Sequence, residues 1–106
     1  MESIFELQAD VCKTFANPKR LEILNALREE EFTAARLLEM IEISKANLSQ
    51  HMGKLISKGV VESRREGVNV YYRLSDSRII RACDLMKEIL VGRLEKNESI
   101  LKDIRE

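Results

Sequence analysis

From Ser3 to Ala16 apolar residues return at helical spacing, with Ile4, Leu7, Val11 and Phe15 in one row and Phe5, Cys12 and Ala16 in a second. Glu2, Glu6 and Asp10 lie toward the N-terminal end, where the helix dipole favours acids, so the pattern predicts a first helix. Asn17-Pro18 ends it and starts another: Asn caps, and Pro at the first helical position has no N–H to leave unsatisfied. The second helix is expected to run to about Arg28 and to bury Leu21, Leu24 and Leu27. After the charged connection Glu29-Glu30-Glu31-Phe32, Thr33 is placed to cap a third, short helix that carries Leu37, Leu38 and Ile41 and ends near Glu42. The turn Ile43-Ser44 leads at once into a fourth, Ser44 to Ser57, whose buried stripe is Leu48, Met52, Leu55 and Ile56. Lys58-Gly59 provides the basic last turn and the glycine stop.

The period then changes from helical to two. Val60 to Arg65 and Val68 to Leu74 are rich in β-branched and aromatic residues and are separated by Glu66-Gly67, which predicts a β-hairpin. In its second strand Val68, Val70, Tyr72 and Leu74 fall on one face and Asn69, Tyr71 and Arg73 on the other. Ser75 or Asp76 is expected to cap a closing helix over 76–104, with Ile79, Cys83, Met86, Leu90 and Leu94 along one side and a kink or loss of order after Gly92. The predicted architecture is mainly α with a small β-hairpin, order ααααββα, in one domain over residues 1–106. Two helices joined by so short a turn and followed by a hairpin make a winged helix-turn-helix. The apolar stripes of the first and closing helices exceed what so small a subunit can cover, so a homodimer through those two helices is expected.

Charge sharpens this picture through its distribution. The chain of 106 residues has a formal net charge of zero. Residues 1–43 nevertheless hold five Lys/Arg against nine Asp/Glu, residues 44–73 six against two, and residues 74–106 seven of each. The positive charge is therefore concentrated on the fourth helix and the hairpin, as expected of a surface that meets double-stranded DNA. Opposite its apolar stripe the fourth helix presents Ser44, Lys45, Asn47, Ser49, Gln50, His51 and Lys54. Asn and Gln can bond adenine through two atoms, Ser reaches a base or a phosphate, and Lys reads guanine or neutralises phosphate. For His51 a phosphate contact is expected. On the hairpin Arg64, Arg65, Asn69 and Tyr71 are candidates to lie along the backbone or in the adjacent minor groove.

Catalysis finds little to work with. His51 is the single histidine, and there is neither a glycine-rich phosphate loop nor a paired-carboxylate motif, so no enzymatic activity is expected. The acidic first residues do not resemble a secretory signal, and no apolar run approaches the roughly 18 residues that span a bilayer. A cytoplasmic protein without membrane attachment is expected. Cys12 and Cys83, the two cysteines, are far apart in sequence and are read as packing residues or as sensing thiols rather than as a structural disulfide.

The motifs resemble the ArsR/SmtB family of bacterial and archaeal winged-helix repressors over about residues 4 to 90. They are Phe15-Ala16-Asn17-Pro18-Lys19-Arg20-Leu21-Glu22-Ile23-Leu24, the run from Ile43 to Leu55, Gly59-Val60-Val61, Arg64-Arg65-Glu66-Gly67 and Tyr71-Tyr72-Arg73-Leu74. Ser49, His51 and Leu55 meet the family's recognition-helix pattern, with Met52 where Leu is usual. The resemblance implies a dimer, held by the first and last helices, that covers an operator as a repressor and leaves it when an inducer binds. The family's inducer sites are missing: Leu37-Leu38-Glu39-Met40 replaces the Cys-any-Cys pair of the third helix, no histidine follows His51, and Ile23-Leu24-Asn25 has no cysteine. Cys12 and Cys83 remain as a candidate thiol sensor for arsenite, a soft metal or an oxidant. The competing expectation is a winged-helix interaction or dimerisation module with no operator, against which the concentration of positive charge argues.

Overall fold

A computed structural model describes residues 2–105. Along the described chain the elements are α1 (Ile4–Phe15), α2 (Pro18–Ala26), β1 (Phe32–Thr33), α3 (Ala34–Met40), α4 (Lys45–Ser57), β2 (Val61–Glu66), β3 (Asn69–Leu74), α5 (Arg78–Glu95) and α6 (Glu98–Arg105). The helix starts follow from local capping chemistry. Ser3 and Glu6 form a reciprocal capping box on α1. The Asn17 side chain accepts from the amides of Lys19 and Arg20, and Thr33 and Ser44 accept from Arg36 and Asn47. Substituting any of these by Ala removes a partner from an otherwise orphaned amide, at about 1 kcal/mol each.

One core joins α2, α3, α4 and the base of the hairpin: Ile23, Leu24, Leu27, Leu37, Ile41, Leu48, Met52, Leu55, Val60 and Val61. Ile23 is buried where Leu21 was expected, and Leu21 is exposed. Three-residue steps drift around a helix by about 60° each, so a stripe centred on Leu24 and Leu27 takes in Ile23 and turns Leu21 outward. Ile56 is likewise exposed, one position off the α4 stripe.

The hairpin belongs to a three-stranded antiparallel sheet of order β1-β3-β2, in which Phe32 and Thr33 pair with Tyr72 and Tyr71. What the sequence shows as a charged connection thus ends in a strand. Two residues carry no periodicity of their own; only the partner across the sheet makes them a strand. The second strand starts at Asn69, and Val68 stands 96% exposed in the turn beside Gly67, whose φ of 62° suits glycine. The closing segment is two helices, broken at Lys96-Asn97 and not at Gly92. Ser77 occupies the cap position of α5 without a side-chain bond. The capping is done by Asp76, whose carboxylate accepts from the Arg78 amide at 2.8 Å and is held down to about 2 by the Arg78 guanidinium and that amide.

Outside the core, apolar surface concentrates on the elements expected to pair between subunits. Ile79 and Cys83 pack on the core. Ile4, Phe5 and Leu7 on α1 and Leu85, Met86, Ile89 and Leu90 on α5 remain exposed in the single subunit. No helix of the described residues is long and apolar enough to cross a membrane.

Candidate nucleic-acid interface

α4 is anchored at both ends and along one side. Ser44 holds its start, and at its end the Val60 amide donates to the Leu55 carbonyl while Gly59, at φ 72°, donates to Ile56. That is a Schellman closure, and Leu55 and Val60, the two residues it brings together, are both buried. Leu48, Met52 and Leu55 lie inward. Lys45, Asn47, Ser49, Gln50 and Lys54 lie outward, a solvent-exposed row of short polar and basic groups. Ser44 is exposed too, but its hydroxyl oxygen is engaged by the Asn47 amide. His51 differs from the rest of the row. It is half-buried, and its Nδ1 accepts from Arg20 Nε at 3.1 Å. Burial, then the positive charges of Arg20 and Lys54, press its pKa below the usual histidine value.

The sheet separates the two wing arginines. Antiparallel pairing puts Glu62 opposite Arg73, Arg64 opposite Tyr71 and Glu66 opposite Asn69 on the outer face. Arg64 reaches across β3 to Glu31, with Nε to Oε2 at 2.9 Å, donates to Glu66 at 2.7 Å, and lies 4.5 Å over the Tyr71 ring. Arg73 is held by Glu62 at 3.0 Å. Arg64 in turn holds the Glu31 carboxyl below the usual carboxylate range. The positive charge of the outer face is therefore matched by carboxylates of this chain. Arg65 points the other way, to the face that Val61 and Tyr72 turn toward the core, and among the described residues it has no ion-pair partner. It is the wing cation left available to a phosphate.

Residues 17–63, from the cap of α2 through α4 into β2, match the model of the bacterial regulatory protein, arsR family. The HTH-type transcriptional regulator Rv0081 of Mycobacterium tuberculosis is 31% identical over 105 residues, covering 98% of this chain and 92% of the relative. Its crystal structure superposes with a TM-score of 0.81, covering 92% of this chain and 98% of that one. The chain belongs to the ArsR family. A biofilm growth-associated repressor of Agrobacterium fabrum is 33% identical and covers 76% of this chain and 69% of the repressor. The homodimeric winged helix-turn-helix DNA-binding domain Mb0332 of Mycobacterium bovis is 30% identical, with a TM-score of 0.78, covering 87% of this chain and 85% of that one. This ArsR-family member is accordingly a DNA-binding transcriptional regulator with a winged helix-turn-helix, in a family of regulators rather than enzymes.

Two residues important to the regulator's interface escaped the sequence. Glu31 reads as part of an acidic connection, and nothing local marks it as the partner of a wing arginine. Arg20 sits inside a family motif, but its bond to the α4 histidine spans 31 positions. The thiols are placed without a shared ligand set. Cys12 is exposed on α1, while Cys83 is half-buried on α5, where burial and the neighbouring Asp84 push its pKa up. Among the described residues no group of three metal-binding side chains forms in one subunit.

Proposed function

We propose that a homodimer of this chain acts in the cytoplasm as a repressor on an imperfect palindromic operator. The observation that carries this is the common exposure of the α4 polar row and of unpaired Arg65, beside a wing face whose cations are already matched. Pairing through the uncovered faces of α1 and α5 would present two copies of α4 to successive major grooves, roughly 34 Å apart. Lys45, Lys54 and Arg65 supply the salt-dependent attraction to phosphate, with Asn69 at the wing tip beside them. Asn47, Ser49 and Gln50 supply base preference. His51 offers the phosphate its free ring nitrogen. Arg64 and Tyr71 form the braced back of the wing, so Arg64 reaches DNA only where a phosphate displaces Glu31.

Titrating labelled duplexes at several salt concentrations tests these roles. Arg65→Ala is expected to weaken every duplex and to lower the log–log salt slope by about 0.9, one phosphate's share. Arg64→Ala is expected to change the slope less. Gln50→Ala should narrow the gap between operator and mismatched duplex by about 1–3 kcal/mol. Equal effects at the two arginines, or none at Gln50, would overturn this division of labour.

The thiols offer a route to release. Cys12 lies on α1 and Cys83 on α5, the two helices that leave apolar residues exposed in the single subunit, so arsenite, a soft metal or a disulfide formed by peroxide would disturb the pairing surface. Operator binding by the wild type is expected to fall in arsenite, cadmium, zinc or peroxide, and that of the Cys12→Ser, Cys83→Ser double variant to persist. Identical behaviour of the two proteins in all four reagents removes the thiols from the mechanism.

A further inference from the structure

We infer that Arg20 is a positioning residue for the α4 surface: it fixes the His51 ring as the tautomer with its proton on Nε2, so that His51 meets DNA as a neutral donor. This deepens the assignment of α4 to DNA and rests on it for the last step, but the tautomer is a property of the free protein.

Arg20 lies in the first turn of α2, with its side chain between the end of α1 and α4. Its Nη1 donates to the Thr14 carbonyl at 3.2 Å, one of the acceptors left over in the last turn of α1, and its Nε donates to His51 Nδ1 at 3.1 Å. A guanidinium has only donors and stays charged at any relevant pH. The nitrogen that faces it must therefore offer a lone pair, and in a neutral imidazole the proton is then on the other nitrogen. Protonating Nδ1 would set one N–H against another and place a second positive charge beside the first.

The surroundings offer no compensation. Lys54 on α4 adds to the opposition. The carboxylates on neighbouring elements are already engaged: Glu22 of α2 with Lys19 at 3.2 Å, Asp10 of α1 with Lys58 at 2.5 Å, Glu39 of α3 with Arg36 at 2.8 Å, and Glu62 of β2 with Arg73. Of the other charged residues on β2, Glu66 is paired with Arg64, and Arg65 is itself a cation. His51 thus stays neutral, with an N–H fixed in direction by a residue that does not itself belong to the DNA-facing row. A neutral donor to phosphate gives an affinity that does not depend on imidazole titration. Without Arg20, the ring loses its Nδ1 donor and one of the two positive charges that oppose a second proton, so it takes that proton more readily, and the imidazolium would bind phosphate more strongly.

Because the chain has a single histidine, its imidazole nitrogens can be assigned without ambiguity in nitrogen-15 spectra of the free wild-type protein. At pH 8 the expected signature is a protonated Nε2 and an unprotonated Nδ1; the opposite tautomer, or a mixture, overturns the inference whether or not any variant folds. Duplex binding between pH 5.5 and 8 at fixed salt provides the second readout. Wild type is expected to change by less than about twofold from this source, and His51→Gln, whose amide keeps a donor in place of Nε2, to remain as flat. Arg20→Met should bind roughly threefold to tenfold more weakly at pH 8, the share of one hydrogen bond, and should recover as the pH falls. The double variant Arg20→Met, His51→Gln should lose that recovery. A flat Arg20→Met profile would mean that Arg20 only packs. Should wild type bind no duplex at all, the DNA assignment fails, and the spectra still decide the tautomer.

Discussion

Ile89→Glu is expected to convert the dimer to monomers and to lower operator affinity by roughly 100-fold or more, with the subunit fold intact. Ile89 is 61% exposed in the single subunit and belongs to an α5 face shared with Leu85, Met86 and Leu90. Burying such a side chain contributes about 1.5–3 kcal/mol. In a twofold assembly one substitution removes that contribution from both sides, and two carboxylates are taken out of water at the same interface. Losing the dimer costs more than the contact itself. With two recognition helices linked, the second half-site binds at the effective concentration set by the first, an advantage on the order of 10²–10⁴ that a monomer lacks. Sedimentation should show the monomer, and duplex titration should show the loss. Circular dichroism at low temperature should be unchanged, because the buried core contains no residue beyond Ile80 on α5. A persistent dimer would mean that another face holds the subunits together.

Leu55→Ala tests the opposite side of the recognition helix. Leu55 is fully buried, and its carbonyl accepts the bond that closes α4 against Val60. Truncating a leucine at such a site costs about 2–5 kcal/mol, because the lost contacts are not recovered by collapse around a core this small. Set against a total stability of about 5–15 kcal/mol for a domain, that is a large share. It corresponds to a midpoint lowered by roughly 10–30 °C. The measurement is thermal unfolding at one fixed protein concentration, since association contributes to the apparent stability. Gln50→Ala, five positions earlier on the exposed side, should leave the midpoint within about 2–4 °C, as surface substitutions do. A small loss at Leu55 would mean that α4 is held mainly by its caps and not by its apolar face.

The contrast between these two positions of one helix follows from patterning that is readable in the chain alone. Three inward residues at helical spacing, a serine cap in front and a glycine behind define α4 without reference to any other element. The same holds for Asn17-Pro18, for the Thr33 cap and for the hairpin about Glu66-Gly67. In each case the deciding groups lie within a few positions of one another, so the chemistry is local.

Other features are settled only by contacts between distant parts of the chain. Phe32 and Thr33 are a strand because Tyr71 and Tyr72 offer them a free edge. Arg64 and Arg65 are adjacent and chemically alike, yet sheet pairing sends one to Glu31, 33 positions away, and leaves the other unpaired. The His51 ring is set by Arg20, on a different helix. The sequence by itself determined where the first four helices start, the wing and which side of α4 faces out, since capping, turn chemistry and hydrophobic period act over a turn or two. The tertiary structure decided which cations remain available and how the histidine is protonated, because charge pairing and hydrogen-bond direction depend on which groups the fold brings within about 3 Å.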